Sequence, residues 1–276
     1  MTGTSGPAAV DIAETAANSA PMTWLARIGL TARGVVYLVM GWLALLVASG
    51  GKGSIDQRGA LTKVLAAPFG TALGWLLTLG FAAYAVWRLS EAAFGVTGAP
   101  PGAGPRLKSL ARGIAYGVLA VTSVALMNGS RGTQAKQQTD VAGTVMSHTG
   151  GRWLVAIAGL VLVVVGLVMV REGWSAKFMR YFGYLPAALR RGVVLLGRVG
   201  TVARGIVFAV TGVLVVVAAW TATAAKAGGF DQSFKTLLRQ PYGKVLVAAL
   251  GLGLIVFGVY GLAEAVWRRV TDADPS

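Results

Sequence analysis

The sequence predicts an all-α integral membrane protein in which six transmembrane helices form three tandem helical hairpins with a pseudo-threefold repeat. Three observations lead there. Of 276 residues, 55% are hydrophobic and only 13% charged, against about 25% charged in an ordinary soluble domain; mean hydropathy is +0.67. Six apolar segments lie near residues 31–49, 70–90, 111–128, 153–171, 203–222 and 244–266. Each is close to the roughly 20 residues that cross a ~30 Å hydrocarbon layer. Finally, the segments come in pairs and the pairs repeat. A soluble bundle of six such helices would have almost nothing polar to turn toward water.

The repeat is visible residue by residue. At a shift of 92, Arg112 falls on Arg204, Tyr116 on Phe208, Gly159 on Gly251 and Glu172 on Glu264. The first unit needs a two-residue gap in its loop: Arg33 and Tyr37 match at a shift of 171, "PFG" at Pro68 and Glu91 at a shift of 173.

In chain order, residues 1–24 are expected to be a disordered tail. Their small, polar residues lack the basic start and apolar core of a secretory signal. Repeat one spans 25–95, repeat two 106–178 and repeat three 195–270, each with two membrane helices. The 96–105 linker is Pro/Gly-rich. The 179–194 linker is basic and aromatic, a composition favoured at a membrane interface, and it continues a run from Trp174 and Lys177. Residues 271–276 form a short tail. Glycines in "GTALG" at Gly70–Gly74, and Gly251, Gly258 and Gly261, read as close helix-packing positions.

Net charge is +15. Six spans place both termini on one side, which holds 15 basic residues against 10 on the hairpin-loop side. The positive-inside rule then puts the termini in the cytoplasm of a cell with the protein in its plasma (inner) membrane. No basic run carries the interleaved aromatics that track nucleic acid, so the partners expected are the lipid bilayer, anionic lipid headgroups at the cytoplasmic face, and another membrane protein.

Each repeat sets a charge into apolar surroundings. Arg33, Arg112 and Arg204 open the first helix of their hairpins, and Glu91, Glu172 and Glu264 close the second. Antiparallel helices bring those ends to one leaflet, so the six residues are expected to form an intramembrane ion-pair layer with Arg and Glu meeting inside each hairpin. An Arg near a helix centre costs about 2.5–3.5 kcal/mol to insert, and a bidentate carboxylate offsets that. Local pairing is the alternative: Glu91 with Arg88, Glu172 with Arg171, Glu264 with Arg268. Tyr37, Tyr116 and Phe208 stand four residues after each Arg, on the same helix face. At seven and four residues before each Glu stand Tyr84 and Trp87, Phe257 and Tyr260, but Val165 and Val168 in repeat two.

The hairpin loops carry one acid each, Asp56, Asp140 and Asp231. "DQRGALTKVLAAPFG" and "DQSFKTLLRQPYG" read as Asp-capped amphipathic helices on the outer membrane surface. The alternative is convergence of three carboxylates on a cation. With no cysteine and one histidine, His148, thiolate and His-rich metal sites are excluded. No phosphate loop, nucleophile elbow or metalloprotease motif is present. Neither catalysis, metal nor cofactor is expected.

The motifs "ARGVVYLV", "ARGIAYGV" and "ARGIVFAV", with "PFG"/"PYG" and the three glutamates, resemble a bacterial membrane family called domain of unknown function 1206. The resemblance covers about residues 25–270 and implies three copies of a two-helix module. Repeat two departs from it with "HTGG" at His148. The family brings no activity. The expected function is therefore a scaffold or accessory subunit of the cell envelope; the alternative is a small permease with the Arg/Glu layer as gate or substrate site.

Overall fold

The computed structural model describes residues 20–96, 102–129 and 134–270. Nine α-helices follow in order among them: α1 (Ala20–Ala48), α2 (Gln57–Leu65), α3 (Gly70–Phe94), α4 (Ala103–Met127), α5 (Gln134–Met146), α6 (Gly151–Trp174), α7 (Ala187–Trp220), α8 (Gly229–Leu238) and α9 (Gly243–Trp267). Six of them, α1, α3, α4, α6, α7 and α9, are long and apolar enough to cross a membrane. Each repeat is thus a long helix, a short loop helix and a second long helix. The ends where α1 begins and α9 stops define the terminal face; α2, α5 and α8 lie at the loop face. Residues 20–24, expected in the tail, are already helical. The rest of that tail, part of the 96–105 linker and residues 271–276 lie outside the described residues.

The tightest helix seams run between repeats rather than within them. The second helix of each repeat packs on the first helix of the next: α3 on α4, α6 on α7, and α9 back on α1. Two of these seams are lined by glycines seven residues apart. Gly34 and Gly41 face Gly258 and Gly251, while Gly205 and Gly212 face Gly166 and Gly159. A Cβ on Gly258 would stand 2.8 Å from the Gly34 carbonyl oxygen, so only glycine lets the backbones approach this far. The matching positions of the α3–α4 seam hold Thr78, Ala85 and Ala120 beside Gly113. Within repeats, α1 packs on α3 and α7 on α9, but α4 and α6 scarcely touch. The ring of helices is therefore parted inside repeat two. Val164, Val165 and Val168 on α6 and Ile114, Val118 and Val121 on α4 are all exposed, which is the surface lipid requires.

The Pro-aromatic-Gly motif has a backbone explanation. Phe69 and Tyr242 sit at the N-caps of α3 and α9 with φ of 59° and 61°, a left-handed conformation that non-glycine residues rarely adopt. Both side chains are fully displayed at the loop face, 87% and 84% exposed, where aromatic rings favour the membrane interface. In repeat two the same position is Gly150, with φ 78°. "HTGG" thus keeps the turn and gives up the ring. The following Gly70, Gly151 and Gly243 each donate to the carbonyl three residues back at 2.9 Å.

The loop helices α2 and α8 do not lie on the surface as expected. Ile55, Leu61 and Phe234 belong to the main apolar core, so α2 and α8 plug the loop end of the bundle. Asp56 does cap α2, accepting the Gly59 N–H at 2.6 Å. Burial pushes its carboxyl up from the usual range, and the nearby Asp231 charge adds to the rise. Asp231 is not a cap. It stands in the first turn of α8, accepts the Ile55 N–H at 2.9 Å and pairs with Lys235 at 2.6 Å, tying the loop of repeat three to that of repeat one. Asp140 is exposed within α5. The three outer acids therefore do not converge.

Candidate functional site

Arg33, Arg88, Glu91, Glu264 and Arg268 are buried together at the terminal face, whereas buried Asp56, Arg58 and Asp231 lie at the loop face. The pairing at the terminal face differs from the expectation. Arg33 of α1 forms an ion pair through Nη2 with Glu264 Oε2 of α9, and its Nη1 donates to the Tyr84 hydroxyl of α3 at 3.1 Å. Arg268 Nη1 holds the second Glu264 oxygen at 2.8 Å. One carboxylate thus serves two guanidinium groups, each 5% exposed. Aromatic rings complete the enclosure: Arg33 lies over Tyr84 and Phe257, at 5.6 and 5.5 Å, and Arg268 over Trp87 and Tyr181, at 5.2 and 4.7 Å.

The hairpin pairs Arg33–Glu91, Arg112–Glu172 and Arg204–Glu264 are not formed. The reason is the ring of seams: closest approach joins the end of one repeat to the start of the next, so α9 delivers Glu264 to α1. Glu91 pairs locally with Arg88 at 2.5 Å and accepts the Ser109 hydroxyl of α4 at 2.8 Å. Glu172 reaches across the parting in repeat two to Lys108 of α4 at 2.9 Å, with both side chains substantially exposed. Among the described residues, neither Arg112 nor Arg204 has a salt-bridge partner. Arg204 instead stacks on Tyr37, Phe208 and Phe257 at 5.0–5.2 Å. Tyr37 accordingly serves Arg204 of another repeat and not its own Arg33. Phe208 meets its own Arg204 and Phe230, and Tyr116 packs on Tyr84 and Phe81.

The 177–183 stretch is more structured than an interfacial linker. A 3₁₀ turn, Lys177–Tyr181, leads into an antiparallel bridge between Phe182 and Arg268. Phe178 and Phe182 pack on Tyr260. The segment lids the charged layer from the terminal side, with Lys177, Arg180 and Trp174 left outward.

Two groups of residues escaped the sequence reading. Arg27 donates to the Ala265 carbonyl at 3.0 Å and to that of Val266, and Arg106 to the Ala92 carbonyl at 3.0 Å and to that of Ala93. Each arginine caps the final carbonyls of the helix it packs on. Arg27, Arg106 and Arg198 all stand six residues before the motif arginine, a register that was open to view. The other group lines an apolar hollow of about 730 Å³ at the loop end of α6 and α7, walled by Leu154, Val155, Phe208 and Val215 and edged by Gln57, Gln134, Gln137 and Gln138. Among the described residues no group of three His, Cys, Asp or Glu could hold a metal.

Comparison with known proteins agrees with the three-unit architecture. The chain is 27% identical over 252 residues to "Uncharacterized protein YxxB" of Bacillus subtilis (strain 168), covering 89% of this chain and 90% of that protein. No solved structure matches. The family described as Domain of Unknown Function (DUF1206) matches three times in succession, at residues 28–95, 107–176 and 199–268, one match for each helix–loop-helix–helix unit. This chain therefore belongs to the DUF1206 family and carries three tandem copies of that module.

Proposed function

We propose that the protein is a non-enzymatic, multi-pass plasma-membrane protein with both termini in the cytoplasm, acting as a scaffold or accessory subunit of the cell envelope. The observation that carries this reading is the Arg33–Glu264–Arg268 network, closed over by aromatic rings and joining the first repeat to the last. Such a network is a clasp that fixes which helices meet; a gate needs charges that water or solute can reach. A permease is the second reading. It is favoured by Arg112 and Arg204, which pair with no acid among the described residues, Arg112 standing on α4 beside the parting in repeat two.

Flux distinguishes the two. Proteoliposomes holding the scaffold stay as tight to chloride and phosphate as protein-free vesicles. A flux abolished by Arg204→Gln, in protein that remains folded, would assign the layer to transport.

The orientation rests on the basic excess at the terminal face and on exposed Arg190 and Arg191 at the start of α7. That helix has 34 residues, about 50 Å at ~1.5 Å per residue, so it projects well beyond a ~30 Å hydrocarbon layer. The natural lack of cysteine makes the test direct. An impermeant thiol reagent added to intact cells should label Asp140→Cys and spare Lys177→Cys, both exposed positions. Labelling of 177 alone would invert the topology.

A further inference from the structure

We propose that the terminal-face hollow between α3, α4 and α6 binds the phosphate of an anionic membrane lipid, whose acyl chains lie along the parting between α4 and α6. The hollow measures about 40 Å³ and is lined by Arg88, Lys108, Arg112 and Arg268, with Glu172 as the single lining acid and Tyr181 on one wall. A single water needs about 10–15 Å³, so the space suits a small tetrahedral oxyanion better than one solvent molecule.

The charges there do not balance. Arg88 and Arg268 share Glu91 and Glu264 with Arg33, and Lys108 takes Glu172. With Arg112, five cations have three carboxylates between them among the described residues. A buried excess of this kind is costly unless a counter-ion occupies it. Arg88 is fully buried with its guanidinium over the Trp87 and Tyr84 rings at 4.1 and 4.9 Å, and among the described residues its Nε and Nη2 and the Nε of Arg268 have no hydrogen-bond partner. Guanidinium groups offer planar, paired donors suited to phosphate oxygens.

The surroundings choose lipid over a free ion. The hollow lies at the terminal ends of membrane-spanning helices, the depth of a headgroup. Arg112 leads up α4, where Ile114, Val118 and Val121 are exposed, as are Val164, Val165 and Val168 on α6. These two helices are the pair that leave the ring open. A bound lipid would fill the parting and supply the packing that glycine seams give the other helices.

Native mass spectrometry of the full chain, released from neutral detergent with equal amounts of phosphatidylglycerol and phosphatidylcholine, tests the assignment. Wild type should retain one phosphatidylglycerol selectively. Arg112→Gln should weaken that retention about tenfold, the usual worth of one charged hydrogen bond, whereas Arg191→Gln, an exposed cation on α7, should leave it unchanged. Arg112 has no carboxylate partner among the described residues, so its loss orphans none of their acids. Lys108→Gln, at the exposed rim, gives a second variant that cannot endanger folding and should also weaken retention. Equal retention of both lipids, or equal loss with Arg191→Gln, overturns the proposal. So does thermal stabilisation by inorganic phosphate that matches phosphatidylglycerol, because the site would then belong to a free ion.

Discussion

Replacing Glu264 with alanine is expected to remove most of the folded protein, measured as the monodisperse fraction in size-exclusion chromatography and as the melting temperature in detergent. Glu264 accepts from both Arg33 and Arg268, and all three side chains are buried. Deleting one partner of a buried pair costs about 3–5 kcal/mol because the remaining charge is left uncompensated. Here two arginines are stranded by one substitution, so the cost lies at the upper end. Glu264→Gln should be milder, since the amide oxygen still accepts from one guanidinium. The repeat-equivalent Glu172→Ala gives the contrast. Its pair with Lys108 is 35% and 56% exposed, and such pairs are worth about 0–1 kcal/mol. Three aligned glutamates should therefore differ sharply in what their loss does. A uniform effect at Glu264 and Glu172 would mean that the layer is symmetric after all.

The second large effect is expected at the glycine seams. Gly251→Val should destabilise by about 1–3 kcal/mol or more, the cost of overpacking a close contact. Even the first added carbon would lie 2.9 Å from the Ala44 Cβ and 3.0 Å from the Gly41 carbonyl oxygen. Valine adds two methyl groups beyond that, and α9 must then back away from α1, stretching the Arg33–Glu264 pair with it. Gly117→Ala on α4 should have the opposite sign. A Cβ there meets nothing within 4 Å, and alanine gains about 0.8–1.0 kcal/mol of helix propensity over glycine. Melting temperatures of the two variants, read against wild type, should move in opposite directions.

Much of this architecture was legible before any coordinates. The spans follow from length and apolarity, and the repeats from the register of Arg, Glu and the Pro-aromatic-Gly turn. Even the unequal roles of the repeats were written at the positions before each glutamate. Tyr84, Trp87, Phe257 and Tyr260 are buried walls of the charged layer, while Val165 and Val168 are 39% exposed to the lipid side. What was not legible is who meets whom. A hairpin is local in sequence, so Arg33 with Glu91 is the natural expectation. The actual partner, Glu264, is 231 residues away, because glycines 34, 41, 251 and 258 draw α1 and α9 together more tightly than any loop does. The glycine spacing was present in the sequence, but spacing alone does not name the opposing helix. The loop acids show the same limit. Asp56 acts locally as a cap, as its sequence context says, whereas Asp231 is spent on Ile55, a contact no local rule anticipates.

The central claim is that the first and last repeats are clasped by Arg33 and Glu264. A double-mutant cycle measures it most directly, using melting in detergent of Arg33→Met, Glu264→Gln and the pair, alongside Arg33→Met with Glu91→Gln. The account predicts a coupling of about 0.5–3 kcal/mol between Arg33 and Glu264, as for residues in contact, and additivity within about 0.5 kcal/mol between Arg33 and Glu91. Strong coupling of Arg33 to Glu91, with none to Glu264, would contradict it.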